Sequence, residues 1–313
     1  MQGDELADVT TRDVVQAAVQ SLDSLVGRVF DVVAVTKPVT SDAAVNLAKV
    51  ISKLSPFVGN TIEFNTVELL NDQKDFREYG EWQRQDPGFP DAIFVGSVQP
   101  TPGFEINAWL PLATEITARF RDSQNHFEEE NTHVAILAWL PEQLIFGKPK
   151  ILGVRIVSAL SIARARDEHY HNPPDYVVLE PGDTSERTQN LQQTNTAGYK
   201  WQGDTTELAE ARELISNWGI DGTQYKPTRE YQFRVRELTA RYDYRLDTNF
   251  AKLDRIMHAD IEDFKSRIYD LRVHGMTVRE WNKLLSSQND FAIKASLKEH
   301  LGIIEEDPED LVQ

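Results

Sequence analysis

The sequence predicts an α/β fold: a mixed central sheet flanked by helices, followed by a helical C-terminal part. Three observations carry the prediction. Between residues 91 and 179, short apolar runs are separated by turns or by helix-length segments, as strands of a mixed sheet are. The flanking regions instead repeat their apolar residues at helical spacing. At 313 residues, 40% hydrophobic and 27% charged, the chain can bury a sizeable core without a disulfide or structural metal.

Each element follows from its own residues. Val14, Val15, Ala18, Val19, Leu22, Leu25 and Val26 recur at helical spacing behind Thr10 or Thr11, predicting a helix over 12–35. Ser41 or Asp42 caps a second helix holding Ala44, Leu47, Ala48 and Ile51. Pro56 separates it from a third, from about Val58 to Asn71. Gly80–Pro90, with Asp86-Pro87-Gly88 and Phe89-Pro90, reads as a loop. Ala92–Val95 is a strand, Gln99–Gly103 a turn, and Phe104–Trp109 a second, alternating strand. The unbroken run Thr132–Leu140 reads as a buried central strand, and Ile151–Val157 as another. Ser161–Tyr170 is a short helix and Tyr176–Leu179 a last strand. The stretch 183–199 is rich in Thr, Asn, Gln and Ser, a long loop or linker. Helical patterns then run over Leu208–Trp218, Tyr231–Tyr244, Asn249–His274, Thr277–Leu285 and Phe291–Leu301. The predicted division is 1–182, a helical layer with an α/β core; 183–203, a linker; and 204–313, a helical part with an acidic tail.

Composition narrows the function. The absence of cysteine removes disulfide scaffolds, thiolate metal sites and cysteine nucleophiles. The net charge of −17 opposes simple non-specific phosphate binding but leaves room for a local basic groove. Acidic residues gather in 299–313, a solvated tail or an autoinhibitory or partner-binding one. The first thirty residues are acidic rather than basic, and no window of eighteen is free of charge. No membrane partner and a cytoplasmic location are therefore expected. Walker, dinucleotide-fingerprint and Gly-x-Ser-x-Gly motifs are missing, which sets aside P-loop, kinase and serine-hydrolase readings.

The chemistry concentrates in Pro90-Asp91 and, fourteen residues later, Glu105-Ile106-Asn107. If the strands that carry them form a hairpin, both carboxylates project from one sheet edge. Two carboxylates and the Ile106 carbonyl are hard oxygen ligands suited to Mg²⁺. On the preceding helix, Glu63 falls among the apolar residues Ile62, Val67 and Leu70, and Arg119 and Arg121 follow the acidic strand.

At these residues, over about 50–182, the chain resembles the PD-(D/E)XK nuclease superfamily, and within it the Type II restriction endonucleases. The matching elements are Gly59-Asn60-Thr61-Ile62-Glu63, Pro90-Asp91, Glu105-Ile106-Asn107 and the strands that follow. The resemblance implies a restriction-endonuclease-like central sheet and a metal-dependent DNA endonuclease acting on double-stranded DNA as a homodimer. It makes Asp91, Glu105 and the Ile106 carbonyl the Mg²⁺ ligands, and Glu63 the anchor of a metal-bound water or a second ion. The family's lysine falls on Asn107, a departure, because Asn cannot supply positive charge. Either the metal and its waters suffice, a lysine such as Lys148 or Lys150 comes from elsewhere, or the protein is a catalytically silent DNA-binding or scaffold form of the fold.

The segment from Lys148 to Arg166 has no acidic residue. Its Lys148, Lys150, Arg155, Arg164 and Arg166 are the phosphate-contact candidates, with Arg119 and Arg121. Base readout is open to the polar loop through Arg187. His169 and His171 are spaced like metal ligands, but with Pro173-Pro174 following and no third His close in sequence they read as surface histidines at a helix end.

Overall fold

The computed structural model describes residues 9–72, 76–85, 89–113, 115–116, 119–120, 127, 130–169, 177–178, 198–201, 203–219, 229–242, 244–247 and 251–303. The chain forms two compact units. One gathers Met1–Ala118, Glu128–Leu160 and His258–Gln313, the other Arg119–Phe127 and Ser161–Met257. Both are discontinuous in sequence, so the division does not follow the linear order 1–182, 183–203, 204–313.

In the first unit, helix α1 (Thr11–Asp23) opens with a capping box in which the Thr10 hydroxyl accepts from Asp13 N–H and the Asp13 carboxylate accepts from Thr10 N–H. It does not extend to residue 35. Gly27, at φ +85°, turns the chain out of the helix. The segment then pairs with strand backbone: Gly27 N–H donates to Ile151 O, Phe30 N–H to Pro149 O and Val35 N–H to Gly147 O.

Helix α2 (Ser41–Asn71) is continuous where two helices are expected. Pro56 is exposed, so its missing N–H and its ring sit on the solvent side. The buried stripe Ala44, Ala48, Ile51, Val58, Ile62 and Leu70 passes beneath it uninterrupted and outweighs the lost hydrogen bond.

The central sheet has five strands in the order β1 (Gly80–Arg84), β2 (Ala92–Gly96), β3 (Gly103–Trp109), β5 (Thr132–Gln143) and β6 (Phe146–Ser158). A short strand between β3 and β5, β4 (Arg119–Phe120), belongs to the second unit. Neighbours are antiparallel except β3 and β5, which are parallel, so the sheet is mixed as expected. β1 replaces part of the expected loop. Its anchor is Trp82, 5% exposed, with ring centroids 5.5 Å from Phe94 and 5.4 Å from Phe104. Asn71 completes it: its Nδ2 donates to Trp82 O at 2.8 Å and its Oδ1 accepts from Trp82 N–H at 2.7 Å. β5 is buried from Val134 to Pro141, the interior strand its apolar run predicts.

Helix α3 (Ala159–His169) follows β6 directly. The second unit contains β7 (Val177–Val178), β8 (Gly198–Trp201), α4 (Thr205–Ser216), α5 (Arg229–Arg241), β9 (Tyr244–Asp247) and β10 (Ala251–Lys252). β7 is not a last strand of the central sheet but pairs with β8, and β8 with β9; β10 pairs with β4. Leu208, Ala211 and Ile215 of α4 pack with Tyr231, Val235 and Leu238 of α5.

The first unit resumes with α6 (Ala259–Asp270), the two-residue hairpin strands β11 (Arg272–Val273) and β12 (Met276–Thr277), α7 (Val278–Leu285) and α8 (Asp290–Leu301). The helix expected over 249–274 is thus shorter, because it begins only where His258 caps α6. Val278, Trp281, Ile293 and Leu297 share one core with Val14, Leu22, Ile62 and Trp139. No helix among the described residues is long and apolar enough to cross a membrane.

Candidate active site

The site begins where two strands part. β2 and β3 pair only through Ile93 with Gly103 and Ala92 with Phe104. Along a strand, alternate N–H groups face the same edge. Beyond Phe104, the N–H groups of Ile106 and Ala108 therefore face an edge that β2 has left. Carboxylates take them. Asp91 Oδ2 accepts from Ile106 N–H at 2.8 Å, and Glu63 accepts from Ala108 N–H. The expected hairpin is present, and its acidic residue does structural as well as electrostatic work at the opening.

Glycines set the approach distances. A Cβ on Gly103 would lie 2.6 Å from Pro90 Cγ, so only glycine lets the Pro90-Asp91 turn close onto β3. A Cβ on Gly59 would meet Ala108 Cβ at 3.6 Å, which shows how closely α2 lies on β3 and why Glu63, one turn further along, reaches the strand's edge. From the other side, Gln85 N–H donates to Asp91 O at 2.7 Å and ties the end of β1 to the same residue.

Three carboxyl groups thus interact at one edge. Burial, then the Asp91 charge, pushes Glu63 up to about 7, against the pull of Ala108 N–H and the Arg84 guanidinium. Burial again comes first for Glu105, followed by the charges of Asp91 and Glu63 and a hydrogen bond with the Asp91 side chain, and pushes it up to about 9. Glu105 Oε2 is buried with no hydrogen-bond partner. The donor set fits a hard divalent cation, which would satisfy that oxygen and offset the mutual repulsion. As the side chains stand, no group of three or more His, Cys, Asp or Glu among the described residues is disposed to hold a metal ion.

Asn107 alternates with Glu105 and so shares its face of β3; both are half-buried. Asn107 pairs with Ile136, and Ile136 with Arg155, so the basic residue in Asn107's row is Arg155 rather than either expected lysine. Lys150, opposite Leu140, lies about 15 Å further along β6. Lys148 Nζ is 2.9 Å from Asp31, whose hydrogen bond and charge raise the lysine's proton affinity.

The expected basic segment does not present its cations as one exposed surface. Lys150 and Arg164 are exposed, but the Arg155 guanidinium is paired with Asp260 and its Nε is buried without a partner. Arg166 is 3% exposed, its charge withdrawn into the second unit. Arg119 lies on β4, opposite Lys252. Arg121, His171 and Arg187 lie outside the described residues, and His169 closes α3.

Arg84 escaped sequence reasoning because its strand was read as loop. The alternation Trp82, Gln83, Arg84 beside Ala92–Val95 was the available signal, obscured by the proline and glycine turns after it. Comparison of the chain with protein-family models, with curated proteins and with solved structures returned no match.

Proposed function

We propose that the protein is a metal-dependent DNA endonuclease of Type II restriction type, with Asp91, Glu105 and Glu63 as its acidic centre. One observation carries the reading: carboxylates from a helix, a turn and a strand meet where β2 leaves β3, and the proton affinities of Glu63 and Glu105 are raised there. Perturbed, mutually coupled acids in a partly buried setting mark functional centres more often than surface ion pairs do.

The chain's own residues have separable roles. Asp91, Glu105 and the Ile106 carbonyl are the oxygen donors for Mg²⁺. Asp91 is oriented for this by Ile106 N–H, and Glu63 by Ala108 N–H. A divalent cation bound there stabilises charge in a phosphodiester transition state and lowers the pKa of its water. Asn107, neutral and on the same face as Glu105, positions a water through its amide without supplying charge. The substrate is double-stranded DNA, and the working form is a homodimer, matching a two-fold site.

Incubating supercoiled plasmid with the protein and Mg²⁺ or Mn²⁺ tests the reading. Discrete fragments, lost in Asp91→Asn and Glu105→Gln, support it. Retention of DNA without cleavage supports a silent DNA-binding form instead, for which the neutral Asn107 is the argument. Sedimentation of the same protein decides the oligomeric state.

A further inference from the structure

The acidic centre has no lysine at the position where Asn107 stands, and Lys148, Lys150 and Arg155 do not supply a substitute. Lys148 and Arg155 are held by Asp31 and Asp260, and Lys150 is remote along β6. A phosphodiester brought to a cluster of carboxyl groups is held more firmly where a side-chain cation offsets their repulsion.

The sheet supplies one from β1. Arg84 pairs with Ala92, the residue directly after Asp91, and Ala92 pairs with Phe104, the residue directly before Glu105. Arg84, Ala92 and Phe104 therefore form one row across three strands, at the level of the two acids. Paired residues project to the same face, and Trp82, two positions before Arg84 on that face, packs on Phe94 and Phe104. α2 packs at Ala108, two positions after Ile106 on the same face, so Arg84 and Glu63 occupy one layer. The charge of Arg84 accordingly acts on the Glu63 carboxylate. The residue is exposed, and the next residue's N–H is anchored to Asp91 O at 2.7 Å, which fixes the end of the strand against the site.

We infer that Arg84 is a phosphate-contacting cation of this centre, placed on its Glu63 side, on the sheet face opposite Glu105 and Asn107. The inference rests on the nuclease reading for its catalytic part. Arginine suits this role because its planar guanidinium stays charged and can grip two phosphate oxygens at once.

The test compares wild type with Arg84→Ala, Arg84→Lys and Arg84→Gln. Cleavage is followed on supercoiled plasmid in single turnover. Binding to a random-sequence duplex is followed against salt in the Asp91→Asn background. Arg84→Ala should slow cleavage by about 100-fold, as removal of a charge-stabilising donor does. It should also lower the salt slope of binding by about 1, the signature of one lost phosphate contact. Arg84→Lys should keep the slope and part of the rate. If wild type cleaves and Arg84→Ala cleaves within about 3-fold of it, the inference is overturned while the nuclease reading stands. If wild type cleaves with neither metal, the nuclease reading falls, and the contact is then judged on binding alone. An unchanged slope, or no DNA binding, overturns it, and a slope lowered by about 1 upholds it. Should Arg84→Ala fail to fold, Arg84→Gln, which keeps the aliphatic stem and a hydrogen-bond donor without the charge, is read in its place.

Discussion

Crowding three carboxyl groups at one strand edge makes stability depend on pH in a direction opposite to that of most acids. In metal-free protein, Glu63 and Glu105 bind protons more tightly folded than unfolded, since both are raised from 4.5, to about 7 and about 9. Below pH 4.5 both states are protonated and the groups are neutral to folding. Above it the unfolded chain ionises first, so each group destabilises the fold by about 1.4 kcal/mol per pH unit until its folded value is passed. For Glu63 this reaches a ceiling of about 3 kcal/mol by pH 7; for Glu105 the loss continues toward pH 9. Glu105→Gln removes the ionisation that drives the latter while keeping the shape. The variant should be more stable than wild type at pH 8 and nearly equal to it at pH 4.5. Urea unfolding in EDTA across this range measures the difference, and taking the difference cancels the self-repulsion of the chain's −17 net charge. Mg²⁺ or Mn²⁺ at a hundred times its Kd should return about 2.7 kcal/mol to wild type at pH 8, less at pH 6 where protons compete, and little to Glu105→Gln. A variant no more stable than wild type at pH 8 would refute the argument that burial and like charge set these proton affinities.

Further outcomes follow from contacts already described. Gly103→Ala should destabilise by about 1–3 kcal/mol, since Pro90 must move from a 2.6 Å approach, and should depress cleavage by shifting Asp91; urea melts and plasmid assays read the two effects. Asn71→Ala leaves two backbone groups of Trp82 without their partner and should cost about 2 kcal/mol or more, whereas Asn71→Gln, too long for the pair, should not rescue it in the same melts. Asn107→Ala should slow cleavage moderately and spare DNA binding in a gel-shift assay, while Asn107→Lys should change the metal concentration needed for half-maximal cleavage. Asp260→Asn removes the charge that holds Arg155; a steeper salt dependence of DNA binding is expected, and an unchanged one excludes Arg155 from the DNA surface.

The acidic centre could be read from the sequence because its parts are local. Asp91 directly precedes β2 and Glu105 lies on β3, and the pairing of these two strands brings them together, while Glu63 stands out as a charge in an apolar helical stripe. Its consequences were less legible. The resemblance makes Asp91 a metal ligand and nothing more. Because Asp91 also accepts from Ile106 N–H, Asp91→Asn, which keeps an acceptor, is the sounder probe than Asp91→Ala. Cation positions depend on tertiary partners that spacing cannot reveal: Asp31 for Lys148, Asp260 for Arg155, burial for Arg166. Local propensity also misread α2, where a buried stripe overrides Pro56, and β1, where a tryptophan and a distant asparagine make a strand from turn-rich sequence. The folding of residues after 258 onto the N-terminal core is a long-range pairing of apolar faces, invisible to any window-based reading.

The pairing of Asn71 with Trp82 has a further consequence together with the segment that follows α1. A sheet's outer strands ordinarily offer unpaired backbone to any extended chain that drifts alongside. Here Trp82 on β1 is already occupied by an amide side chain, and Gly80 N–H by Phe76 O. At the opposite margin, residues 27–35 occupy Gly147, Pro149 and Ile151 of β6. A second molecule's strand could pair along Gly80–Trp82 of β1 or Gly147–Ile151 of β6 only by displacing these bonds. The apolar β5 lies between β3 and β6, which keeps its backbone from seeding cross-β aggregates.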